Sequence, residues 1–262
     1  MELRVRGKRV FAGTGGRAFD PALPAAVFLH GAGMDHTVWA LQTRSFAHHG
    51  RSVLALDLPG HGGSEGPALS GIPEMAEWVL EALRVAGARK ARIAGHSMGS
   101  LVALEAGSHG REVVEGLALL GFVPEMGVHP ELVDAARAGA HAALDLMVAW
   151  SFGAQARFGH TPAPGLWLSG EAMRLLERSP AASLTADLVA CAAYKGAAEA
   201  AARVRCPTLF LLGAEDRMTP AAKGRAFAER MAGARVTVLP GIGHMMMIEE
   251  PVATLAALKT VL

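Results

Sequence analysis

Short, unbroken apolar runs that each stop at glycine or proline constrain this chain more than any other feature. They are AAVFLHGAG (25–33), RSVLALDLPGHGGS (51–64), ARIAGHS (91–97), EGLALLGF (115–122), PTLFLLGAED (207–216) and ARVTVLPGIGH (234–244). A run that is apolar at consecutive rather than alternate positions describes a strand covered on both faces. Amphipathic segments lie between the runs. In IPEMAEWVLEALRVAG (72–87), Met75, Trp78, Val79, Leu83 and Val85 recur near a 3.6-residue period, with Pro73 at the start and Gly87 at the end. Strand alternating with helix predicts a doubly wound, mostly parallel α/β sheet. LRVRGKRVFAGTGG, at the front of the chain, alternates on both sides of Gly7 and predicts an antiparallel hairpin before it.

The alternation breaks from Phe122 to Tyr194, where alanine-rich helical patterns surround GHTPAPGLWLSG and no strand is evident. Strand rhythm resumes at Pro207. This predicts one core, 1–121 with 195–262, carrying a helical insertion at 122–194, between the sixth and seventh strands, that does not fold by itself. A chain of 262 residues suffices for such a core.

A formal net charge of +1 gives no electrostatic case for nucleic acid or acidic membranes. Cys191 and Cys206 make no disulfide framework, and Cys206, before Pro207, reads as packing. The basic start MELRVRGKRV has no apolar core behind it, as a secretory signal would, and no run reaches the length of a membrane span. A soluble, cytoplasmic protein is the expectation.

The run 91–97 ends in Gly95-His96-Ser97-Met98-Gly99. A serine at a sharp strand-to-helix turn adopts an unfavourable backbone conformation, often with positive φ. Side chains two residues away on either side would then collide, and glycine at both places removes the collision. The hydroxyl is lifted above the sheet edge beside a helix N-terminus, where free N–H groups favour negative charge. This is the pattern of a nucleophile elbow.

A serine nucleophile needs a base, and the base an orienting carboxylate. In this architecture they follow in the order Ser, acid, His, at the ends of later strands. His244, after the last run, is the candidate base. Asp216 is the candidate acid, with its neighbour Glu215 and, after the sixth strand, Glu125 as alternatives. Asp216 could equally cap the helix that begins near Pro220. An oxyanion needs backbone donors. His30-Gly31 lets the chain turn closely and present the N–H of Ala32, with the N–H of Met98 as partner. His48-His49 resembles a metal pair, but adjacent residues on a helix point apart, so no metal is expected there.

In combination, GHSMG, the His-Gly-x-Gly loop, LALDLPGHGGS, GAEDRMTP and GHMMMIEEP resemble the α/β-hydrolase fold superfamily over nearly the whole chain outside the insertion. The resemblance implies an eight-stranded, mostly parallel sheet with a helical cap between strands 6 and 7. It implies Ser97, Asp216 and His244 as the triad, favouring Asp216 over Glu215, and Ala32 and Met98 as oxyanion donors. Asp57, His61 and His96 become structural residues. A serine rather than an aspartate nucleophile separates the chain from haloalkane dehalogenases and epoxide hydrolases. The oxyanion loop lacks the Gly-Pro-Gly ending common in carbon–carbon bond hydrolases and the triple glycine of the hormone-sensitive-lipase group. Small bacterial serine esterases remain, with thioesterases, acyl-carrier methyl ester hydrolases and perhydrolases nearby.

The function expected is hydrolysis of a carboxylic ester with a small to medium, apolar or weakly polar acyl group, through an acyl-enzyme and without cofactor. A thioesterase, a carbon–carbon bond hydrolase, or a ligand receptor that retains the triad are the alternatives. The expected pocket has Trp39, Met98 and Met245 at its base, under a roof drawn from Met126, Met147, Trp150, Phe152, Phe158 and Trp167. No arginine is placed clearly enough in the sequence to indicate an acidic substrate.

Overall fold

A computed structural model describes residues 1–159, 161 and 165–262; the middle of the predicted break GHTPAPG therefore lies outside the described residues. β1 (Glu2–Val5) and β2 (Lys8–Gly13) pair antiparallel through a two-residue turn. Arg6 and Gly7 both have positive φ there, 50° and 76°, as a hairpin turn matched to strand twist requires. β3 (Ala25–Leu29), β4 (Ser52–Leu56), β5 (Ala91–His96), β6 (Val114–Leu120), β7 (Thr208–Gly213) and β8 (Arg235–Leu239) are the six apolar runs.

The eight strands form one sheet in the order β1-β2-β4-β3-β5-β6-β7-β8. β2 meets β4 antiparallel, and every pairing from β4 through β8 is parallel. β3, β4 and β7 are buried at every position, as their continuous apolar character demands. The α/β-hydrolase core expected from the sequence is the fold observed. Strand order reverses at β3, which lies between β4 and β5, so the loops leaving the carboxyl ends of β3 and β5 diverge and open a crevice.

Between β6 and β7 the described residues form helices at Pro130–Arg137, His141–Ser151, Ala154–Arg157, Leu168–Arg178 and Ala181–Ala193. Leu132, Met147 and Leu188, from three of these helices, line the same cavity as Ser97. The following helix, Ala197–Arg203, packs instead on the core helix Met98–His109. Among the described residues no helix is long and apolar enough to cross a membrane.

Candidate active site

β5 runs straight into the helix Met98–His109 with no intervening loop, and Ser97 makes the turn at φ 53°, ψ −119°. An L-residue there is strained, and what holds it is the closeness of its surroundings. A methyl group on Gly95 would strike the Gly99 carbonyl, and one on Gly99 would lie 2.6 Å from the Leu29 and His30 carbonyl oxygens. The Ser97 N–H donates to the Leu120 carbonyl at 2.8 Å, tying the turn to β6. Met98 is the first residue of the helix, so its N–H has no intrahelical acceptor.

His244 follows β8 and is almost wholly buried. Its Nδ1 lies 2.7 Å from Asp216 Oδ2. Asp216 follows β7, and three further contacts hold its carboxylate. Oδ1 accepts from the N–H groups of Met218 at 2.9 Å and Thr219 at 2.8 Å. Oδ2 accepts from the Thr219 hydroxyl at 2.5 Å, and that hydroxyl also lies 3.2 Å from His244 Nδ1. Burial pushes the Asp216 carboxyl up, but the charge and hydrogen bond of His244, with the two hydrogen bonds from Thr219, outweigh it and leave the group below its ordinary value. Held by an acceptor, Nδ1 carries the ring proton and leaves Nε2 for substrate chemistry.

The backbone of His244 is anchored as tightly as its ring. Its N–H donates to the Ser151 carbonyl at 2.7 Å, and its carbonyl accepts from His96 Nε2 at 2.9 Å. Glu249 secures the same loop: Oε2 accepts from Gly153 and Gly243, and Oε1 from Met245. Burial drives the Glu249 carboxyl above its ordinary value although these amides and His244 oppose it. Thr219, Ser151 and Glu249 were not singled out in the sequence; a threonine three residues past the acid, in DRMT, was the available signal.

Ser97 and His244 line one cavity of about 280 Å³, together with Ala32. Its walls are mostly apolar: Met34, Val128, Leu132, Leu188 and Met218, with Met126, Met147 and Trp150 of the expected roof. Four other expected pocket residues lie elsewhere, among them Met98, fully buried at the start of its helix. Trp39 is fully buried in the core, its ring 5.3 Å from that of Phe28. Met245 is buried behind the His244 loop, whose backbone it serves. Trp167 is 72% exposed at the start of a helix. Of the other aromatic candidates, Phe152 is buried and Phe158 exposed, and neither lines the cavity. The structure adds Arg217 and His129 to the lining, so an arginine that the sequence did not place stands at the cavity.

The alternative acids are engaged away from His244. Glu215 Oε2 accepts from the Ala154 N–H at 2.6 Å, and Glu125 pairs with Lys195 at 2.9 Å. His49 turns back on the Ser45 carbonyl, and His48 is exposed beside it. Among the described residues Asp35, His36 and Asp57 could hold a metal by proximity, but their atoms already serve one another and the loops around them. Asp57 Oδ1 takes the N–H and Nδ1 of His36, and Oδ2 takes the Gly63 N–H. Asp35 Oδ1 accepts from Thr37.

A family model for the alpha/beta hydrolase family matches residues 26–258. The chain belongs to this family. Among its relatives, this alpha/beta hydrolase is 26% identical over 231 residues to the (E)-2-((N-methylformamido)methylene)succinate hydrolase of Acinetobacter baylyi, covering 86% of this chain and 85% of that one. It is 30% identical over 261 residues to the 2-succinyl-6-hydroxy-2,4-cyclohexadiene-1-carboxylate synthase of Salmonella paratyphi A, covering 93% and 95%. In fold it is similar to the enol-lactonase of Burkholderia xenovorans LB400, with a TM-score of 0.89 at 24% identity over 99% of this chain and 98% of that one. A thermophilic esterase from Thermogutta terrifontis matches with a TM-score of 0.85 at 20% identity, over 99% and 96%.

Proposed function

We propose that the protein is a serine hydrolase that cleaves a carboxylic ester of small to medium acyl group through an acyl-enzyme. One observation carries the reading: His244, with its Nδ1 on buried Asp216, shares a cavity with strained Ser97. In this reading His244 Nε2 takes the Ser97 proton as Oγ attacks the acyl carbon. Asp216 stabilises the imidazolium that forms. The amides of Ala32 and Met98 hold the oxyanion, each such donor contributing about 3 kcal/mol to the transition state. His244 then protonates the leaving alcohol and activates the water that releases the acid. No cofactor takes part. The helices between β6 and β7 act as a cap, and their methionines give the acyl site adaptable walls. A cavity of about 280 Å³ lies just below the usual range for ligand pockets, which favours short acyl chains.

A second reading has a carboxylate on the substrate. Arg217 lines the same cavity, and the two relatives compared in sequence are named for a succinate and a carboxylate. Both readings are tested together by p-nitrophenyl butyrate and the p-nitrophenyl monoester of succinate, on the parent, Ser97→Ala and Arg217→Gln. Loss of both activities in Ser97→Ala supports the hydrolase; parental turnover in that variant overturns it. A selective loss on the succinate ester in Arg217→Gln favours the second reading. A parent inert towards esters, but thermally stabilised by them, would mean a receptor. Faster cleavage of the acyl-CoA with the same acyl group would mean a thioesterase.

A further inference from the structure

Asp187, in the helix Ala181–Ala193, is fully buried and lies at the junction of three segments. Its Oδ2 accepts from the Gly33 N–H at 2.8 Å and from His61 Nε2 at 2.9 Å. Oδ1 has no partner among the described residues. On its other side, the His61 ring places Nδ1 3.0 Å from the Pro59 carbonyl oxygen. A carbonyl can only accept, and so can an ionised carboxylate, so both ring nitrogens carry protons and His61 is an imidazolium. Burial draws its pKa down, but the hydrogen bond and charge of Asp187 raise it above the ordinary value.

His30, whose ring centre lies 4.9 Å from that of His61, has the opposite assignment. Its Nε2 accepts from the Leu58 N–H at 3.1 Å, so Nδ1 holds the proton and donates to the Gly31 carbonyl at 2.9 Å. The ring is neutral, its pKa lowered to about 4 by burial and by the charge on His61. His30 and Asp187 are the titratable groups that face His61. Asp57, at the end of β4, is spent on His36 and Gly63.

The two bonded groups, Gly31 C=O and Gly33 N–H, bracket Ala32. Gly31 C=O and Ala32 N–H belong to a single planar peptide unit, and Ala32 C=O and Gly33 N–H to the next. His30 fixes the first plane from the core. Asp187 fixes the second from the inserted helices. The approach is close: a Cβ on Gly33, where φ is 67°, would lie 2.9 Å from Leu184 and 3.3 Å from Leu176. Leu188, next to Asp187, and Cys191 line the cavity, so the helix that holds the loop also forms the wall the substrate presses on.

We propose that Asp187, paired with the His61 imidazolium, is a positioning residue that aims the Ala32 amide from the inserted helices. The proposal rests on the serine-hydrolase reading above. A misaimed donor weakens the transition state more than the ground state, so the loss falls on kcat.

The test measures kcat and KM for p-nitrophenyl acetate and butyrate, per folded molecule, in the parent, Asp187→Ala, Asp187→Asn and Ser97→Ala. Expected is a fall in kcat of about tenfold or more in Asp187→Ala, alike for both esters, with KM nearly unchanged. Asp187→Asn, which keeps an oxygen for Gly33 N–H, restores most of kcat near neutral pH. In the parent, kcat falls as pH rises through the raised ionisation of His61; in Asp187→Asn that fall moves to lower pH. A folded Asp187→Ala with parental kcat, or one impaired through KM alone, overturns the proposal. Should that variant not fold, Asp187→Asn decides, and a pH profile superimposed on the parent's overturns it. Parental turnover by Ser97→Ala would instead remove the hydrolase reading itself.

Discussion

His96 Nε2 stands 2.9 Å from the main-chain carbonyl of His244, so the residue before the strained serine holds the backbone of the candidate base. The carbonyl accepts only, which puts the His96 proton on Nε2 and leaves a buried Nδ1 without a partner among the described residues. Burial, and then the neighbouring His244, push the His96 pKa far down. His30 is pushed down to about 4.

These two histidines predict an acid-labile fold. A histidine whose folded pKa is depressed stays neutral in the native state, while the unfolded chain takes up a proton below about 6.5. The unfolded state then binds more protons, so stability falls as pH drops, by about 1.4 kcal/mol per pH unit for each such group. Two groups in this window double the slope between about pH 6 and pH 4.5. Urea unfolding midpoints across that range measure it. A histidine-free contact at position 96, as in His96→Asn, is expected to halve the slope and lower the midpoint at neutral pH.

Replacing Asp216 by Asn removes the charge that opposes burial and leaves an amide that can donate to Nδ1. The imidazole then turns its lone pair towards residue 216 and its proton towards Ser97. The expected result is a fall in kcat of about 10⁴-fold with the fold intact. Initial rates on a short p-nitrophenyl ester, with circular dichroism as the control, check it. The carboxyl itself sets a second, lower acid limit. Because its folded pKa is depressed, its contribution to stability is present above the unfolded value and is lost as pH falls through the folded one.

β3 to β7 were legible because each announces itself twice, by continuous apolar character and by the glycine or proline that ends it; β1 and β2 were read from alternation around Gly7, and β8 is only partly buried. β3, β4 and β7 are fully buried and leave no room for another periodicity. Ser97, Asp216 and His244 stood out as candidates because each follows such a strand. The pocket was not. Trp39 and Trp167 are both large and apolar, yet one fills the core against Phe28 and the other faces solvent. Composition cannot separate these fates from cavity lining, since all three depend on which way a helix turns. Asp187 was hidden for the same reason: one buried carboxylate in an alanine-rich helix carries no local pattern. Arg217 was in plain sight beside Asp216, and only the arrangement of the loop places it at the cavity.

The glycines around Ser97 predict a graded response. At Gly95 an added methyl meets the Gly99 main chain, which cannot rotate away. At Gly99 it meets the Leu29 and His30 carbonyls at 2.6 Å. At Gly127 it meets nothing within 4 Å. Gly95→Ala and Gly99→Ala are therefore expected to lose about 3 kcal/mol or more, as overpacked sites do, and Gly127→Ala less than about 0.5 kcal/mol. Thermal melting of the three variants ranks them. Equal melting temperatures would mean that the turn yields to accommodate a side chain.

In the proposed esterase the acyl preference follows from the cavity wall that Trp150 and Met147 help to form. Trp150 and Met147 both come from the helix His141–Ser151, whose last residue anchors the His244 N–H through its carbonyl. Trimming Trp150 to Ala opens the cavity without touching that anchor, because the side chain and the Ser151 carbonyl leave the helix at different residues. Longer acyl chains then gain apolar contact, worth about 0.8 kcal/mol for each buried methylene, while acetate loses a wall it only partly reached. The expected outcome is a shift of the kcat/KM maximum to longer acyl chains, each added methylene contributing roughly fourfold until the new space is filled. A series of p-nitrophenyl esters from acetate to octanoate measures the shift. An unmoved maximum would place the acyl group on another wall of the cavity, towards Leu132 and Leu188.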